Sequence, residues 1–284
     1  MILRAPAPAK VNLTLHVTGQ RDDGYHLLDS LVVFADVADQ IAVTAAPDLR
    51  ITVSGPFSDG VPTDHTNLVI RAAELLRNAC GIGEGAAITL EKHLPNAAGI
   101  GGGSSDAATA LGLLAKLWNV APLPPNASKV LALGADLPVC MAGPTAQHMT
   151  GIGETLTPVP DLPDCAVVLV NPRVKVPTQG IFRGLSSRSN PAMTPIPRAG
   201  DFDGFAHWLE QQRNDLLPPA RALTPEIDAT LAKLTAMPKV RIAGMSGSGA
   251  TCFGLVRNMA DARHVARAIQ VSEMGWWVAP ALVL

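Results

Sequence analysis

The 284-residue chain is short of several things, and each shortage excludes something. Charged residues make up 16% and the formal net charge is -2, so no basic excess is available to neutralise a nucleic-acid backbone, and no such partner is expected. There are four cysteines, Cys80, Cys140, Cys165 and Cys252, scattered, without a Cys-x-x-Cys pair or a nearby His cluster. They read as reduced thiols of a cytoplasmic protein, not as a disulfide frame or a zinc site. No uncharged apolar run approaches the roughly 20 residues that cross a bilayer, so no membrane partner is expected. No leader is expected, because Arg4 and Lys10 bracket a Pro/Ala stretch where a signal peptide would carry its apolar core. Aromatic residues amount to 4%, and Tyr25 is the only tyrosine. Composition leaves open whether the protein is a monomer or a homodimer.

Hydrophobic residues are plentiful at 48%, and the length suits two domains of ordinary size. Residues 11–17 alternate apolar with polar, as a half-buried strand does. Strands are expected over 30–38, 40–46, 49–54 and 86–91, with a helix over 67–80, where Leu68, Ala72, Leu75, Leu76 and Ala79 share a face. A helix over 106–118, capped by Ser104 or Ser105, and another over 127–133 follow. The Gly/Pro-rich stretch 150–163 marks the expected boundary, giving domains 1–155 and 156–284. Beyond it the order strand, helix, strand, strand, helix, strand predicts a ferredoxin-like α/β domain. Residues 186–200, rich in Pro and Ser, read as a mobile loop. The fold class expected for the whole is α+β.

The segment Gly99-Ile100-Gly101-Gly102-Gly103-Ser104-Ser105 lies between a strand and a helix. Its four glycines let the backbone approach an anion and turn N–H groups inward, and the helix start behind it adds orphan donors and the positive dipole end. Two serine hydroxyls add donors, one of which can reach a metal ion. It is not a Walker A loop, since no Gly-Lys-Ser/Thr follows, and position 104 is Ser where the dinucleotide fingerprint wants Gly. A second loop, Gly244-Met245-Ser246-Gly247-Ser248-Gly249-Ala250, is longer than a tight hairpin requires, and two such loops can clamp a polyphosphate.

Three segments in order, Pro8-Ala9-Lys10-Val11-Asn12-Leu13, residues 95–108 and residues 244–250, resemble the GHMP kinases over most of the chain. Gly19-Gln20-Arg21-Asp22-Asp23-Gly24-Tyr25-His26 and Gly134-Ala135-Asp136-Leu137-Pro138-Val139 resemble a narrower group within them. Its members phosphorylate the 2-hydroxyl of a cytidine-diphosphate-linked methylerythritol in the non-mevalonate isoprenoid precursor pathway. The resemblance implies a two-domain GHMP kinase fold, with an N-terminal domain like ribosomal protein S5 and a C-terminal ferredoxin-like one. It also implies ATP, with Mg²⁺ bridging its β- and γ-oxygens and no dedicated metal ligands assigned.

Site residues follow from the same resemblance. Asp136 is the implied catalytic base and Lys10 its partner, a cation that keeps the carboxylate ionised. ATP falls to Asn67 and Leu68 at a helix start, to Lys92, and to Pro95, Asn96, Ala97, Ala98, Gly99, Ile100, Gly101, Gly102, Gly103, Ser104 and Ser105. Substrate falls to Asn12, Asp136, Gly244, Ser246 and Gly247, and its base to Tyr25, His26, Thr178 and Phe182. Asn96, Ala97 and Ala98 stand where the family usually has Gly or small apolar residues, and Asn96 is expected to take any positive φ. Two other readings compete: a GHMP kinase of the homoserine or mevalonate type, whose substrates carry no base to stack, and a non-catalytic GHMP-fold metabolite sensor.

Overall fold

The computed structural model describes residues 1–159, 162–197 and 200–284. In chain order its elements are β1 (Ile2–Asn12), β2 (His16–Gln20), β3 (His26–Ala46), β4 (Arg50–Ser54), α1 (Leu68–Cys80), β5 (Gly85–Glu91), α2 (Gly102–Leu117), α3 (Ser128–Leu133), α4 (Leu137–Ala142), β6 (Gln147–Gly151) and β7 (Thr155–Pro158). There follow β8 (Ala166–Asn171), α5 (Thr178–Arg183), α6 (Phe202–Glu210), α7 (Leu217–Leu223), α8 (Glu226–Thr235), β9 (Ile242–Met245), β10 (Cys252–Val256), α9 (Met259–Ser272) and β11 (Trp277–Leu282). Among the described residues, no helix is long and apolar enough to cross a membrane.

The chain forms two compact units, each discontinuous in sequence. The first comprises Met1–Ala9, Ala38–Asn96 and Gly101–Gly143. In it the second half of β3 pairs antiparallel with β5, from Gln40 opposite Glu91 to Ala46 opposite Gly85, and β4 pairs parallel on the far side of β5. Helices α1 and α2 pack together, burying Val69, Ile70, Ala72, Ala73 and Leu76 of one with Ala107, Ala110, Leu111 and Leu114 of the other. α1 starts where Asn67 accepts from the Val69 N–H at 2.8 Å, a cap worth about 1 kcal/mol, and stops at Gly81 in left-handed geometry.

The second unit comprises Lys10–Val37, Ala97–Ile100 and Pro144–Leu284. β2 and β6 both pair antiparallel with the first part of β3, and β7 continues from β6. A separate four-stranded sheet runs β11-β8-β10-β9, all antiparallel. Counted from β8, that order is fourth, first, third, second, with helices after the first and third strands, which is the ferredoxin-like arrangement. β8 is buried along its whole length, as its uninterrupted Ala-Val-Val-Leu-Val run requires.

Three expectations need correction. The strands read over 30–38 and 40–46 are one strand, β3, and Asp39, taken as their break, lies buried on the same face as Ile41 and Val43. The helix expected from 106 begins at Gly102, so Ser104 and Ser105 are inside its first turn and Gly101, with φ 62°, occupies the cap. The 186–200 stretch has no helix or strand in its described part, but it is anchored. Met193 N–H donates to Asp29 Oδ2 at 2.8 Å, and Asn190 N–H to the Val17 carbonyl at 3.1 Å. Residues 198 and 199 of that stretch, and 160 and 161 of the 150–163 stretch, lie outside the described residues.

Candidate active site

In the second unit, Lys10 and Asn12 stand two apart on β1 and therefore share a face. Both are buried, at 3% and 1% exposure, which removes Lys10 from the class of ordinary surface lysines. Lys10 Nζ donates to Asn12 Oδ1 at 2.6 Å, and Asn12 Nδ2 donates to Ser30 Oγ at 2.8 Å. The Lys10 backbone N–H donates to the Ile100 carbonyl at 3.0 Å, tying the strand to the glycine loop.

The second glycine loop packs directly on residues 98 and 99 of the first. Ser246 Oγ donates to the Gly99 carbonyl at 2.9 Å and accepts from the Asn12 N–H at 3.1 Å. Thr251 N–H donates to the Ala98 carbonyl at 3.1 Å. Gly99 has φ +75°, and a Cβ there would lie 2.6 Å from the Ser246 carbonyl and 2.7 Å from that of Gly249, so no side chain fits. Gly244 and Met245 belong to β9, not to the loop, and Gly244 is explained by packing, since a Cβ would meet the buried Phe253 ring at 2.5 Å. Sequence reasoning missed Asn214, whose Nδ2 donates to the carbonyls of Met245 and Gly247, each at 2.8 Å.

Also in this unit, His26 at the start of β3 lies against Phe182 of α5, ring centroids 4.9 Å apart and tilted by 34°. His26 Nε2 is buried with no hydrogen-bond partner among the described residues. Burial, with the Arg188 charge adding to it, lowers the His26 pKa, so the ring is neutral at physiological pH. Tyr25 beside it is 57% exposed, a costly place for an aromatic ring with nothing to cover. Thr178, a turn before Phe182 on α5, has its hydroxyl 3.0 Å from that of Ser248.

In the first unit, α2 offers its first N–H groups behind Gly101. Ser105 Oγ is already committed, donating to the Pro8 carbonyl at 2.7 Å, while Ser104 remains half-buried. Asn67 uses both ends of its amide, accepting from Val69 and donating to the Pro62 carbonyl at 2.6 Å, and Leu68 follows half-buried at the helix start. Asn96 is exposed and donates to the Phe57 carbonyl at 2.8 Å, and Pro95 is buried beside it. Asp136 occupies the position before α4 with φ -85° and ψ -10°, half-buried, and its side chain makes no capping bond to that helix.

Lys92 is not at the surface. Its ammonium is ion-paired with Asp39 and, at 2.8 Å, with Asp106 Oδ2, and all three side chains are at most 3% exposed. Asp39 Oδ1 also accepts from the backbone N–H groups of His93 and, at 2.8 Å, Leu94. Burial pushes the Asp106 carboxyl up to about 7, with Lys92 pulling it back and Asp39 pushing it further. For Lys92, burial acts downward but the two carboxylates outweigh it and raise its pKa. Asp39 carried no motif. The available signal was its place on the apolar face of a strand, where a carboxylate needs a buried partner.

Comparisons with known proteins give the arrangement a family. Residues 67–149 match the GHMP kinases N terminal domain and residues 192–272 the GHMP kinases C terminal domain. A 4-diphosphocytidyl-2-C-methyl-D-erythritol kinase of Dinoroseobacter shibae is 54% identical over 98% of this chain and 93% of its own length. One of the same name from Ruegeria pomeroyi is 50% identical over 100% of both. The crystal structure of a 4-(cytidine 5'-diphospho)-2C-methyl-D-erythritol kinase superposes with a TM-score of 0.82 at 32% identity, covering 99% of each chain. A homoserine kinase from Cytophaga hutchinsonii superposes with a TM-score of 0.71 at 16% identity over 100% of this chain and 94% of its own, a likeness of fold alone. The chain therefore belongs to the GHMP kinase family, among its 4-diphosphocytidyl-2-C-methyl-D-erythritol kinases.

Proposed function

We propose that this kinase transfers the γ-phosphoryl group of ATP to the 2-hydroxyl of 4-diphosphocytidyl-2-C-methyl-D-erythritol, a step towards isoprenoid precursors by the non-mevalonate route. The observation that carries the reading is half-identity, end to end, with relatives of that name. The neutral His26 ring set against Phe182, with exposed Tyr25 adjacent, supports it as a place for a pyrimidine.

The glycine-loop amides and the start of α2 hold the phosphates, and Asn67 and Leu68 receive the adenine side. Asp136 orients the hydroxyl and accepts its proton as the oxygen–Pγ bond forms and the bond from Pγ to the bridging β-oxygen breaks, releasing ADP. Lys10, fixed by Asn12, supplies positive charge to the attacking oxygen. Mg²⁺ comes with the nucleotide as Mg·ATP and would neutralise charge on its phosphates. We put the functional division at 155/156, between the two family matches, and the protein in the cytoplasm, where the Cys165 and Cys252 thiols, which burial pushes up to about 12, stay reduced.

The test is ADP release from Mg·ATP with and without the cytidylated alcohol, beside Asp136→Asn. Substrate-dependent turnover should fall by about 10²- to 10⁴-fold in the variant, with Mg·ADP affinity retained. Turnover of homoserine or mevalonate in place of the cytidylated alcohol would sink the substrate assignment. Binding without turnover of any of them would favour a sensor.

A further inference from the structure

The chain that forms the first glycine loop leaves β5 at Lys92 and re-enters regular structure in α2, so its shape depends on how those two places are held. Both are held by one buried cluster. Asp39 takes the N–H groups of His93 and Leu94 on one carboxylate oxygen and the Lys92 ammonium on the other, and Lys92 reaches on to Asp106, one turn into α2. The fit is close, for a Cβ on Gly102 would lie 3.5 Å from Lys92 Nζ and 3.8 Å from Asp39 Oδ2. We propose that Asp39, Lys92 and Asp106 are positioning residues that fasten the two ends of the phosphate loop to each other, and that the Lys92 ammonium serves this clamp instead of contacting nucleotide phosphate. The inference rests on the reading that residues 101–105 hold those phosphates.

The alternative is that the triad merely stabilises the fold, and its chemistry argues otherwise. Two carboxylates share one ammonium, and Asp106 Oδ1 is buried with no hydrogen-bond partner among the described residues. A buried cluster left imperfectly satisfied is seldom more stable than apolar side chains of the same size, and what it provides is a fixed geometry. Here the geometry fixed is that of the amides at the start of α2.

Asp106→Leu separates the two roles. It removes the second carboxylate and the orphan oxygen, leaves a balanced Lys92–Asp39 pair, and cuts the clamp at α2. The expected result is a melting temperature equal to or above the wild type, with the Kd for Mg·ADP by calorimetry raised about tenfold or more and the KM for the cytidylated alcohol within about twofold. Asp106→Asn keeps an acceptor for Lys92 and should restore the Mg·ADP Kd to within about threefold of wild type. Wild-type Mg·ADP affinity in Asp106→Leu would overturn the proposal. So would loss of affinity matched by loss of melting temperature, or an Asn variant as weak as the Leu variant. Mg·ADP binding does not involve the alcohol, so an Asp106→Leu defect in a protein that fails to turn over the cytidylated alcohol would remove the substrate assignment and leave the clamp standing.

Discussion

Ala97 holds a left-handed backbone, φ 50°, at an exposed position of the glycine loop. An L-residue with a Cβ pays about 1–2 kcal/mol for that conformation, of which the greater unfolded freedom of glycine returns about 0.4–1 kcal/mol if glycine replaces it. Ala97→Gly should therefore stabilise the protein by roughly 0.5–1 kcal/mol, seen as a higher urea midpoint at unchanged slope. A lower midpoint would mean that Ala97 is not held left-handed in solution. The sequence drew attention to this stretch but assigned the unusual backbone to Asn96, on the general tolerance of asparagine. Asn96 is instead held through its side chain by the Phe57 carbonyl, and the strained residue is its neighbour. Single-residue conformation is decided by such contacts, which motif spacing does not encode. Asp39 escaped notice for a related reason: it has no recurring neighbours in sequence, and its partners Lys92 and Asp106 come to it only once β3 and β5 pair.

At the scale of elements, β2 is coupled to the described part of the 186–200 stretch through a histidine. His16 is 1% exposed, its Nε2 accepts the Arg213 N–H at 3.2 Å, and its Nδ1 faces the Pro191 carbonyl at 3.4 Å. Both contacts are satisfied by the neutral ring with its proton on Nδ1. Burial first, then the Arg213 charge, lower its pKa, while the Pro191 contact, Asp215 and Asp29 partly oppose them. A base whose folded pKa lies below its unfolded value of about 6.5 takes up its proton first in the unfolded chain as pH falls. Its contribution to stability is thus present above about pH 6.5, declines below it, and levels off beneath the folded pKa. His16→Gln, which keeps an acceptor for Arg213, should be less stable than wild type at about pH 7.5, with the gap narrowing at about pH 5.5 by urea unfolding. A gap independent of pH would exclude His16 as the titrating group. The anchoring of this stretch was unreadable in sequence, because it depends on contacts between residues 164 to 175 positions apart. The ferredoxin-like order of strands and helices, by contrast, follows from local periodicity, and β8 to β11 come in that order. β3 reads as two strands, 30–38 and 40–46, because the partners that bury Asp39 between them, Lys92 and Asp106, are far away in sequence.

Over the whole molecule the fold carries little of the specificity. A homoserine kinase shares it across its length, so architecture cannot by itself choose the alcohol. With a net charge of -2 the chain has no global field to collect anionic substrates, and selection must come from local groups. One such local group is the aromatic one of the second unit, which brings His26 onto Phe182 beside the exposed Tyr25. A ring exposed to this extent contributes almost nothing to the core, so replacing it should leave the fold intact. If Tyr25 stacks on the cytosine, Tyr25→Ala loses about 1–3 kcal/mol of binding, a rise of roughly 5- to 150-fold in the KM for the cytidylated alcohol. The Kd for Mg·ADP should not change, because no part of that assignment involves adenine. Equal losses of substrate and nucleotide affinity would place Tyr25 in the wrong pocket, and no loss of either would leave the choice of substrate to His26 and Phe182.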